Sequence, residues 1–219
     1  MMMVTEARHL HFITLLWIAV ASAAIIEPKT HACVVPGEIA MSEEVISTAL
    51  TEEERSQFQS QGFVVLNKKI PYHLVKTLRE RAPSLFRGEF ETGVYPDEWY
   101  GREGMSLPHI TKEICNVWKS DRWFATVSLS AEIHRLCAEV HGWEGSRIGQ
   151  DNIIVKPAGV GSPVHYHQDS PYVSAQFTPE ANNSVTCWIP LVDVDEASGT
   201  IEYAVGSHRW PRVGHGAPS

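Results

Sequence analysis

Near Gly149 the spacing of apolar residues changes from a helical period to a strand period, and that change constrains the fold more than any other feature of the chain. Upstream, Ile133, Leu136, Cys137 and Val140 fall at i, i+3, i+4 and i+7, which predicts a helix from about Ala131 to Val140, ended by Gly142. Downstream, Val185, Cys187, Ile189 and Leu191 alternate along Val185–Val194, so one face of a strand is apolar. Further strands are expected at Asn152–Lys156, Val164–Asp169 and Thr200–Val205. Nearer the start, Thr51 and Glu54 form a capping box for a helix to about Gln61, which Gly62 stops before a short strand, Phe63–Leu66. A second helix is expected from Pro71 to about Arg81, and residues 88–111, rich in Gly, Pro and polar groups, read as a loop. Helices followed by short strands describe an α+β protein whose core is a β-sandwich or jelly roll.

At 219 residues the chain suits one domain of ordinary size. Its formal net charge of −8, with no Lys/Arg cluster beyond the pair Lys68-Lys69, argues against nucleic acid and leaves small molecules as the expected partners. The four cysteines, Cys33, Cys115, Cys137 and Cys187, form no C-x-x-C pair, so neither a zinc ribbon nor a redox dithiol is indicated. Phe12–Ile26 is an uncharged run of fifteen residues, below the roughly 18 of a membrane span, and no stable span is expected. Arg8 before it and the small residues Ala21–Ala24 after it have the order of a secretory signal. Residues 1–40 are therefore set apart as a signal-like or spurious hydrophobic extension, with the domain at 41–219. Localisation stays open between secretion and the cytoplasm.

The densest group of ligand-type side chains is His165-Tyr166-His167-Gln168-Asp169. On a strand, His165, His167 and Asp169 share a face, and neighbours two apart stand roughly 6.5–7 Å from one another, close enough to hold one ion. The outer two are too far apart for that. A cupin-like site would use His165 with His167 and would want a carboxylate a few residues on, but residues 170–174 supply none. His167 with Asp169 instead gives half of the two-His, one-carboxylate triad that leaves positions open on iron(II). The H-x-D pattern alone is weak, because eleven His and six Asp in 219 residues supply about 0.3 such pairs by chance.

Its surroundings add what the motif lacks. LTEEERSQFQSQGFVVL at Leu50–Leu66, IIVKP at Ile153–Pro157, YHQD at Tyr166–Asp169, CWIPLVDV at Cys187–Val194 and GSHRW at Gly206–Trp210 together resemble the phytanoyl-CoA dioxygenase family, in the family's order. The resemblance implies a double-stranded β-helix (jelly-roll, cupin-like) with flanking N-terminal helices. It also implies iron(II), 2-oxoglutarate as co-substrate and O2 as oxidant, hydroxylating an organic small molecule with release of succinate and CO2. On the same resemblance His167 and Asp169 are metal ligands, and Lys112, Asn152 and Trp188 contact the co-substrate. His208 in GSHRW is expected to order a turn.

One departure stands out. The family's third ligand, a His on a later strand, and the Arg after it have no counterpart here. His208 belongs to GSHRW, and His215 lies in a segment without strand character. The expectation is a chain lacking the last core strands, with a catalytically inactive relic or interaction module of the same fold as the alternative to an active enzyme. Substrate contacts are expected from Trp99, Tyr100 and Arg102 in the 88–111 loop.

Overall fold

A computed structural model describes residues 2–5, 13–22, 50–67, 70–157, 164–169, 184–195, 198 and 200–211, and in it helices lie against one of two antiparallel sheets. The first helix, α1 (Glu52–Gln61), begins as its capping box requires: Glu54 N donates to Thr51 Oγ1 at 3.1 Å and Thr51 N to Glu54 Oε2 at 2.8 Å. Gly62 ends it at φ +87°, and a Cβ there would meet the His208 ring at 2.3 Å, so glycine is needed for both conformation and space. The expected strand at Phe63–Leu66 does not form. That backbone joins no ladder, Val65 is exposed, and Phe63 stacks on Tyr203 with centroids 4.8 Å apart.

Helix α2 (Tyr72–Phe86) runs five residues past its expected end, through Pro83. The missing N–H of Pro83 is offset by burying Leu85 and Phe86 in the core. Sequence periodicity gives no sign of α3 (Arg122–Ser128), a helix of seven residues whose first amides, at Trp123 and Phe124, donate to the Asp121 carboxylate. Helix α4 (Ala131–His141) lies where expected, capped by Ser130 and closed by Gly142 in the left-handed region.

Among the described strands, Met2–Thr5 is β1, Ile13–Ser22 β2, Glu98–Tyr100 β3, Lys112–Cys115 β4, Ser146–Lys156 β5, Val164–Gln168 β6, Ser184–Pro190 β7 and Ile201–Tyr203 β8. The large sheet has the order β3-β4-β5-β2-β7 and the small one β6-β1-β8. The hydrophobic stretch that the sequence sets apart as an extension thus supplies the strand between β5 and β7, and Met2–Thr5 supplies the one between β6 and β8.

Register separates the two faces of the large sheet. Ile114 pairs with Ile153, and position 16 of β2 pairs with both Ile153 and Ile189, so these three side chains share a face. That face meets Leu74, Leu78 and Phe86 of α2, Phe124 and Val127 of α3 and Ile133 of α4 in the apolar core. The opposite face carries Glu113, Asn152, Thr186 and Trp188. Among the described residues no helix is long and apolar enough to cross a membrane.

Candidate metal centre

Thr186, on the second face, is where the two sheets meet: its Oγ1 donates to Asp169 Oδ2 at 2.9 Å. Asp169 follows β6 directly, so this bond fixes the end of the H-x-D strand against β7. On the Asp169 side turned to His167, Oδ1 lies 3.3 Å from His167 Nε2. The far nitrogen of that ring, Nδ1, is 2.9 Å from the His165 carbonyl oxygen. A carbonyl can only accept, so Nδ1 carries the proton of that bond, and Nε2 is the nitrogen left to donate to Asp169 Oδ1 or, once that proton is released, to offer its lone pair to a metal.

Two donor atoms therefore converge, and both are oriented from behind by protein groups, as first-row metal ligands usually are. Both side chains are partly shielded, at 32% relative exposure for His167 and 16% for Asp169. The hydrogen bond to Asp169 raises the pKa of His167, with burial opposing it. Nitrogen and carboxylate oxygen are what iron(II) takes in a two-His, one-carboxylate site, so the pair fits as two of three protein ligands. Among the described residues no group of three His, Cys, Asp or Glu is placed to hold a metal.

The other candidate residues divide by face. Trp188 is two residues from Thr186 on β7, half-buried on the same side. Asn152 stands level with Trp188, because both pair with position 17 of β2. It is buried, its Nδ2 donating to Glu113 Oε1 at 2.9 Å. Lys112 is not brought to the pair. Three residues from Cys115, the register partner of Asn152, it lies on the helix side with its ammonium 5.8 Å from the Phe86 ring centroid. His208 is also elsewhere, its Nε2 3.2 Å from the Gln59 carbonyl, in a turn whose Gly206 N–H donates to the Gln61 carbonyl at the end of α1. The segment 88–111, expected as a loop, contains β3, on which Trp99 packs edge-on to Phe90 under the Arg102 guanidinium, while Tyr100 is exposed.

Three neighbours of the site escape a reading by motif. Thr186 falls in the polar phase of the β7 alternation, a signal for facing the site but not for touching Asp169. Glu113 is buried enough to raise its pKa, and its only mark in the sequence is a carboxylate inside a short strand. Tyr203 shares the position-3 partner of His167, and burial, reinforced by the Asp169 and Cys187 charges, raises its pKa.

Compared with known families, residues 58–218 match the family model described as phytanoyl-CoA dioxygenase (PhyH). No curated protein and no solved structure matches the chain.

Proposed function

Because the chain belongs to the phytanoyl-CoA dioxygenase family, we propose that it is an iron(II)- and 2-oxoglutarate-dependent dioxygenase that hydroxylates an organic small molecule, with release of succinate and CO2, on a double-stranded β-helix core. The family is one of oxygenases, with small-molecule substrates and O2 as its expected partners. The observation that carries the reading is the convergence of His167 Nε2 and Asp169 Oδ1 at 3.3 Å, each group held from its far side.

Iron(II), when bound, supplies the chemistry that couples O2 to 2-oxoglutarate. This chain's own residues do the rest by position. His167 offers Nε2 because His165 holds Nδ1, so the ring need not reorient on binding. Asp169 offers Oδ1 and one negative charge, and Thr186 restrains rotation of the carboxylate. Trp188 gives the co-substrate an apolar wall and limits water at the metal. Asn152, level with it, offers an amide to a carboxylate. Lys112, on the helix side, takes no part in this reading.

The test is succinate release by the full chain in the presence of iron(II), 2-oxoglutarate and oxygen. Turnover uncoupled from substrate is expected in the wild-type chain, with a loss in His167→Ala beyond the roughly 10–100-fold that an outer-shell partner of a ligand costs. Equal turnover by both proteins would overturn the proposal.

A further inference from the structure

Asn152 is 8% exposed, and in a buried site the orientation of a side-chain amide has to be set by its partners. Here two are present. Nδ2 donates to Glu113 Oε1 at 2.9 Å, and Oδ1 lies 3.4 Å from Gln150 Nε2. Glu113 reaches Asn152 across the β4–β5 ladder, where it pairs with Ile154, one step along the same face. The geometry points to Glu113 as a positioning residue: its carboxylate fixes the amide plane of Asn152 and so commits the second N–H of that amide to the co-substrate. The inference rests on the dioxygenase reading above and adds a residue to it.

Register places the amide on the same face of the sheet as Thr186. Asn152 and Thr186 lie on strands separated by β2 and two positions apart along the sheet. Their Cα atoms are thus about 12 Å apart, from roughly 4.8 Å between strands and 3.4 Å per residue. Burial raises the pKa of Glu113, with the Glu98 charge adding to it, while one oxygen accepts from Asn152. A carboxyl group in this position can accept from the amide whether or not its other oxygen is protonated, so the anchoring does not depend on the charge of Glu113.

The experiment measures 2-oxoglutarate binding by calorimetry to the full chain loaded with Mn(II), without oxygen, alongside thermal unfolding. Glu113→Ala is expected to weaken binding about five- to tenfold, the equivalent of one hydrogen bond. Glu113→Gln, which keeps an oxygen for Asn152, should stay within about twofold of wild type. Asn152→Ala should lose at least as much as Glu113→Ala, and the double variant no more than Asn152→Ala alone, because the first residue acts through the second. If Glu113→Ala unfolds, Glu113→Met keeps the bulk without the acceptor and takes its place. Unchanged affinity in the Ala or Met variant, or losses that multiply in the double variant, would overturn the inference. A wild-type chain that binds Mn(II) but not 2-oxoglutarate would overturn the dioxygenase reading and this inference with it.

Discussion

At the candidate metal site, Thr186 acts through a single hydroxyl. Its bond to Asp169 joins residues 17 positions apart and belongs to neither sheet's ladder. Thr186→Val keeps the shape of the side chain and removes the donor. Mn(II) affinity in this variant should fall about tenfold, the lower end for a group that orients a ligand. Equal affinity would mean that Asp169 is oriented by something else. A second residue-scale prediction concerns Asp151, which no expected role includes. It is fully buried on the helix side of β5, and Ser128 Oγ donates to its Oδ2 at 2.6 Å. Burial raises its pKa from the ordinary 3.8 to about 7, against the pull of its hydrogen bonds. The native chain therefore holds a proton that the unfolded chain releases between these values. The resulting stability is full below the unfolded value and declines as pH rises through about 7, by something on the order of 4 kcal/mol. Urea midpoints at pH 5 and pH 8 should differ less in Asp151→Asn than in wild type; an identical difference in both would contradict the assignment. Neither Thr186 nor Asp151 was legible in the sequence, since each takes its role from a partner that only folding brings near.

At the scale of elements, legibility followed local determinants. Helices α1 and α4 could be placed because capping side chains and left-handed glycines are coded within a few residues. Helix α3 could not, because seven residues are too few to display a period, and its one signal is the Asp121 cap. The N-terminal strands were hidden for the opposite reason. An uncharged run of fifteen residues has no alternation from which the phase of a strand could be read. β2 pairs with β5 along its whole length and with β7 along most of it, and among the described residues β1 forms the ladders that lie between β6 and β8. Removing residues 1–22 should therefore separate both sheets. Circular dichroism of the deleted chain should show lost strand signal and no cooperative melting. Leu16→Pro, at a position paired on both sides, should cost about 3 kcal/mol or more by breaking a central ladder. A deletion variant that melts like the full chain would contradict this role for the segment.

For the whole molecule, the helices cover one face of the large sheet, and the candidate site lies on the other. Of the five residues that the sequence offered as a site, four share that second environment: His167 and Asp169 at the meeting of the sheets, Asn152 and Trp188 on the face beside it. Lys112 is the exception, and parity explains it, because one step along β4 moves a side chain from the site to the core. The choice between His165 and Asp169 as the partner of His167 is the point on which everything above depends. Mn(II) titration of four chains decides it directly: wild type, His165→Ala, His167→Ala and Asp169→Ala. One site is expected in wild type, retained with little change in His165→Ala and, in the other two, lost or weakened beyond the roughly 10–100-fold that an outer-shell partner costs. Binding that survives Asp169→Ala but disappears in His165→Ala would contradict it.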